Sequence, residues 1–188
     1  MTFKTRMDKI LVKNIFAAVF EKPRLDPVLQ VLPKGKVRFW ATVGTCEYLS
    51  KKGFSATSIV SGFDFDGRVK TLERKNFAAI LADKSKLKHL NELKKLNMPA
   101  IDIVIVDLYA ADPKIFPESM DIGGMSLIRS AIKNYKNVVL AFNNKSVFDL
   151  AGELSRNHCA TLLKFRKQQS KLALEFVAER CVLEAKLF

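Results

Sequence analysis

Ile101-Asp102-Ile103-Val104-Ile105-Val106 decides how this chain is read. Its near-continuous apolar character, following Pro99, suits a parallel strand covered on both faces. Similar short runs lie on either side of it: Ile10 to Phe20, Val37 to Ala41, Ser55 to Val60 and Val138 to Phe142. Between them fall helical patterns. A short helix is expected through Val28 to Leu32, after Pro23 and Pro27. Another covers Cys46 to Lys52 and stops at Gly53, a typical residue just past a helix end. Leu87, Leu90, Leu93 and Leu96 give Ser85 to Leu96 an amphipathic stripe. Met125 to Asn134, Val147 to Ser155 and Thr161 to Phe188 complete the set, while 73–84 receives no element. Strands alternating with helices predict an α/β fold, a mainly parallel sheet flanked by helices. With 188 residues and no repeat, low-complexity tract or linker, one domain over 1–188 is the economical reading.

Composition narrows the function classes. Hydrophobic residues make up 48% of the chain and charged residues 27%, which is globular rather than disordered. Thirty-two Lys and Arg against 19 Asp and Glu leave a net charge of +13, favouring anionic partners. The basic residues are scattered, which argues against a dedicated nucleic-acid stripe. Cys46, Cys159 and Cys181 are few and widely spaced, so neither a zinc motif nor a disulfide framework is expected. The apolar stretch after the basic Met1 to Lys9 is short and interrupted by Lys13 and Glu21. It fits neither a membrane span nor a signal peptide, so a soluble, cytoplasmic protein is expected.

The chemistry-bearing residues form an ordered series. Asp66-Gly67-Arg68-Val69-Lys70-Thr71-Leu72 puts a planar fork, a point charge and a hydroxyl within four residues, a set suited to an anion. Thr42-Val43-Gly44-Thr45 joins a strand to a helix start, where free amides and hydroxyls can hold a phosphate; Thr45 could equally serve only as a cap. Asp121-Ile122-Gly123-Gly124 opens a helix carrying Arg129 and Lys133. The aspartate suits a cap and the glycines a close backbone approach, while the two cations fit a solvated face equally well. His89 and His158 have no Cys, Asp or Ser neighbours that suggest a ligand or a triad. No GxSxG, HExxH or Walker A motif is present, so any catalysis rests on Lys, Asp, Tyr and Thr with backbone donors.

In this order the motifs resemble the inosine monophosphate cyclohydrolase domain, the amino-terminal half of the bifunctional purine-biosynthesis protein. Gly67 to Leu72 is similar to that family's GRVKTL, Asp107-Leu108-Tyr109 to its NLYPF, Met120 to Gly124 to its IDIGG, and Arg129 to Asn134 to its RAAAKN. The resemblance implies a three-layer α/β sandwich of the methylglyoxal synthase-like type. It implies closure of the second purine ring, from 5-formamidoimidazole-4-carboxamide ribotide (FAICAR) to inosine monophosphate (IMP) and water, with no cofactor and no metal. A homodimer is implied as well. In the roles the resemblance implies, Lys70 assists the departing formyl oxygen and Tyr109 borders the developing oxyanion. Asp121 and Lys133 pair to orient the carboxamide and move its proton. Arg68, Thr71, Gly123, Gly124 and Arg129 hold the substrate, and its phosphate lies on Thr42, Gly44 and Thr45 with Lys22 alongside.

This sequence departs from the family pattern at several positions. Val43 replaces the first glycine of the family's STGGT loop, and Phe20-Glu21-Lys22-Pro23-Arg24 replaces its SDKTG turn. Glu73-Arg74 stands for His-Pro, Phe77-Ala78-Ala79 begins the segment matching HGGIL, and the histidine of AFxHTAxYD has no counterpart near Phe176 to Leu183. The alternative is a noncatalytic nucleotide- or phosphate-sensing module of the same fold, like the allosteric domain of carbamoyl phosphate synthetase. Such a module would keep the phosphate loop but need not keep Lys70, Tyr109, Asp121 and Lys133 together.

Overall fold

A computed structural model describes residues 8–60 and 68–188 of the chain. Asp66 and Gly67 of the basic run, and the first part of the expected Gly62 to Leu72 loop, lie outside the described residues. The elements in order are β1 (Lys9–Leu11), β2 (Asn14–Ala18), a 3-10 turn (Lys22–Leu25), α1 (Asp26–Leu29), β3 (Arg38–Ala41), α2 (Val43–Lys51) and β4 (Ser55–Ser58). Then come α3 (Arg74–Leu81), α4 (Leu87–Lys95), β5 (Ile103–Val106), α5 (Ile122–Lys133), β6 (Val139–Ala141), α6 (Asn144–Arg156), β7 (Ala160–Leu162) and α7 (Leu163–Ala185).

The expected parallel sheet is present as five strands in the order β4-β3-β2-β5-β6, every neighbouring pair parallel. All four residues of β5 are buried, as an inner strand with helices on both faces requires. Alternation along each strand divides the core into two layers. Ile15, Ala17, Ile103 and Ile105 face the cluster shared with α1, α2 and α6. Phe16, Val104 and Val106 face the cluster shared with α3, α4, α5 and α7. The result is a three-layer sandwich, each large apolar side chain so buried contributing about 1.5–3 kcal/mol.

The structure changes some sequence boundaries. Ile10 to Phe20 is two strands: β1 pairs antiparallel with β7, and β2 enters the main sheet. The break has a cause in Asp102, whose carboxylate accepts the Lys13 and Asn14 amides at 2.8 Å each. Asp102 therefore ends the apolar run as an anchor, and β5 begins one residue later. Lys84 bonds the same carboxylate and donates to the Asn137 carbonyl at 2.7 Å. Helix α3 occupies the stretch to which no element was assigned. Helix α2 starts three residues earlier than expected because Thr42, in extended conformation, is its N-cap. Gly53 ends that helix region with φ +82°, as its identity predicts.

Candidate active site

The chain leaves β2 toward β3 and β4 on one side, then returns to place β5 and β6 on the other. The β2/β5 boundary is therefore a topological switch point, where loops diverge and leave a crevice beyond the strand ends. A cavity of about 1070 Å³ lies there. Five segments line it: Ala18 to Phe20 with Lys22 at the end of β2, Thr42 to Gly44 after β3, Val60 after β4, Arg68 with Lys70 and Thr71, and residues around the β5–α5 connection.

Asp107, the first residue after β5, sets the shape of this end. It is buried and accepts the amides of Phe20 and Glu21, the latter at 3.1 Å. Arg24 meets its second oxygen at 3.0 Å. The loop after β2 is thus clamped to the end of β5, and Lys22 is carried over the start of α2. The Lys22 Cε lies 3.6 Å from where a Cβ on Gly44 would stand. An ammonium above a helix start with free amides is a cationic corner suited to an anion.

At the other end Asp121 is the N-cap of α5, its Oδ1 accepting the Gly124 amide at 2.7 Å. Burial pushes its carboxyl above the usual carboxylate range; the Gly124 amide and the Arg180 guanidinium pull the other way. Tyr109 donates its hydroxyl to the Met120 carbonyl at 3.1 Å. Burial and the neighbouring Asp121 raise the Tyr109 phenol, so it remains a proton donor at neutral pH. Thr71 lies against Gly123, and any Cβ on that glycine would collide with the Thr71 hydroxyl. Arg68 forms an ion pair with Glu118 across the mouth. Lys70 is exposed at the cavity wall.

Ten of the residues expected at the site do line this cavity: Lys22, Thr42, Gly44, Arg68, Lys70, Thr71, Tyr109, Asp121, Gly123 and Gly124. Three do not. Thr45 is fully buried, and its hydroxyl contacts Thr42 Oγ1 at 3.0 Å and donates to the Val19 carbonyl at 3.4 Å. It ties the N-cap, Thr42, to the end of β2. Arg129 and Lys133 are exposed on α5. Lys133 closes the helix that Asp121 opens, about 18 Å away at about 1.5 Å per residue. The expected Asp121–Lys133 pair is therefore not formed. Sequence reading also passed over Asp107 as an anchor; its signal was a carboxylate directly after an apolar parallel strand.

No family model matches the chain. The bifunctional purine biosynthesis protein PurH of Wigglesworthia glossinidia brevipalpis is 34% identical over 178 residues, 88% of this chain and 33% of that protein. PurH of Bacteroides thetaiotaomicron is 30% identical over 174 residues, covering 86% and 34% respectively. A PurH-like domain fits this chain. It spans about a third of the length of the PurH relatives it matches. The crystal structure of ForH overlays with a TM-score of 0.74 at 25% identity, covering 94% of this chain and 98% of that one. The chain has no helix among its described residues long and apolar enough to cross a membrane.

Proposed function

We propose that the chain is an IMP cyclohydrolase that closes the ring of FAICAR to give IMP and water in purine biosynthesis. The observation that carries this reading is one cavity with a cationic corner at Lys22 and Gly44 and with Lys70, Tyr109 and Asp121 around its other end. The similarity to PurH supports it.

Both reacting groups belong to one substrate, so restraint and charge placement dominate the catalysis. The ribotide phosphate occupies the corner beneath Lys22, held by the amides that open α2. The carboxamide nitrogen attacks the formyl carbon, a C–N bond forms, and the nitrogen gives up a proton toward Asp121. A carboxyl raised by burial is a better proton acceptor than an exposed one and can return the proton later in the step. The formyl oxygen gains negative charge beside Lys70 and the Tyr109 hydroxyl, takes up protons and leaves as water. The formamido nitrogen loses its proton as the ring C=N bond forms, which balances the step. Thr71, Arg68 and the Gly123–Gly124 backbone hold the heterocycle.

Incubating the purified protein with FAICAR and following IMP, after subtracting spontaneous closure, tests the reading. Acceleration supports it. Nucleotide binding without acceleration would replace it with the sensing module.

A further inference from the structure

Asn76 lies in the first turn of α3 and is completely buried. Its Nδ2 donates to the Thr71 carbonyl at 3.3 Å, while its Oδ1 is buried with no hydrogen-bond partner among the described residues. A buried amide with an unmet acceptor lowers stability, and leucine, of similar size, would fill the same space without that penalty. As core packing Asn76 is a poor choice, and local departures of this kind mark functional sites.

The Thr71 carbonyl shares its peptide group with the Leu72 amide, which donates to the Val69 carbonyl at 3.0 Å. One planar unit is thus gripped at both poles, its oxygen by Asn76 and its N–H by Val69. The bond from Leu72 to Val69 closes a four-residue turn with Lys70 and Thr71 at its two central positions. Holding this peptide therefore fixes the turn that carries both side chains, and both line the cavity. Thr71 also packs against Gly123, beside the Asp121 cap. The support behind Asn76 is itself anchored. At the other end of α3 the Ile80 and Ala82 carbonyls accept Asn134 Nδ2 at 2.7 and 3.0 Å, and the Ala79 carbonyl accepts the Ile101 amide at 3.1 Å.

We propose that Asn76 is a positioning residue for the ring-closing site, holding the 69–72 turn so that Lys70 and Thr71 stand at the cavity wall. It lies behind the cavity rather than in its lining and acts through the Thr71–Leu72 peptide. What Lys70 does to substrate rests on the ring-closing reading; the grip on the turn does not.

Amide hydrogen exchange in the ligand-free protein, comparing Asn76→Leu with wild type, tests the grip without an activity assay. The Leu72 amide is expected to exchange about tenfold faster in Asn76→Leu, with the amides of β5 and the later turns of α3 unchanged. The melting temperature is expected to equal or exceed that of wild type, because the unmet Oδ1 is gone and the freed Thr71 carbonyl regains water. In the ring-closure assay kcat is expected to fall about tenfold while KM changes about threefold or less, the mark of a displaced Lys70. An unmoved Leu72 rate overturns the proposal. So does acceleration at Leu72 shared by β5 and the rest of α3 with a lowered melting temperature, because Asn76 would then be merely structural. An unaltered kcat in a variant whose Leu72 exchange has risen overturns it too. Should Asn76→Leu fail to fold, Asn76→Ala is expected to show the same acceleration confined to Leu72, and its absence overturns the proposal alone. Wild-type protein that closes no ring would remove the functional reading and leave the exchange result standing.

Discussion

Asp121 and Gly124 are locked together at the start of α5. One carboxylate oxygen accepts the Gly124 amide at 2.7 Å, and the other lies 2.7 Å from where a Cβ on Gly124 would stand. Leu108 closes the opposite side of that position at 2.5 Å. The glycine is needed here for space rather than for an unusual backbone angle, because the cap and the cavity share one carboxylate.

Gly124→Ala should therefore displace Asp121. Loss of the cap costs about 1 kcal/mol of stability. Misplacing the proton acceptor by about 1 Å should slow ring closure about 10²-fold. Thermal denaturation and the IMP-formation assay read the two effects separately. A variant with unaltered rate would mean that Asp121 does not act from this position.

Asp121→Asn should separate stability from activity. Asparagine caps a helix as well as aspartate does. The Asp121 carboxyl is raised in the folded state, so its contribution to stability is complete below its unfolded value and is lost as pH rises through its folded value. Replacing it should raise the melting temperature at pH 7–8 relative to wild type, with the gain vanishing near pH 3. Ring closure should fall by about 10²-fold or more. Melting curves across pH check the sign, and a gain largest at low pH would contradict it.

Lys22 and Lys70 should affect different kinetic constants. At the phosphate corner, Lys22→Ala should raise KM about tenfold to a hundredfold with little change in kcat. Beside the departing oxygen, Lys70→Ala should lower kcat about 10²- to 10⁴-fold. Calorimetric titration with IMP should likewise show weakened binding for Lys22→Ala. Equal kcat losses in the two variants would reject this division of labour.

Asp102→Ala should be the most destabilising of these changes. It strands the Lys84 ammonium, whose environment already disfavours the charged form through burial, and it frees the Lys13 and Asn14 amides. The expected cost is about 3–5 kcal/mol, read as a lower urea midpoint. Adding Lys84→Met should recover only the part due to the stranded charge.

The sheet was largely legible in residues 101–106 because burial on both faces leaves a local mark, a run of branched apolar side chains. The 3-10 turn at Lys22–Leu25 and α3 left weaker marks, since short elements are held by neighbours more than by their own periodicity. Asp102 looked like an interruption of a strand and proved to be the anchor where two strands begin.

The sequence by itself determined the alternation of strands and helices, the order of the motifs, and Asp121 with its glycines at a helix start. These are local properties, written in side-chain spacing and backbone freedom. Tertiary structure decided which cations reach the site. Lys133 follows Asp121 by twelve positions yet lies a helix length away, whereas Lys22 and Lys70, forty-eight positions apart, line one cavity. Helix rise separates the first pair, and the convergence of loops at the β2/β5 boundary brings the second together. Neither relation is visible in a linear chain, because charge acts through space and spacing along the chain is only one of the terms that sets distance.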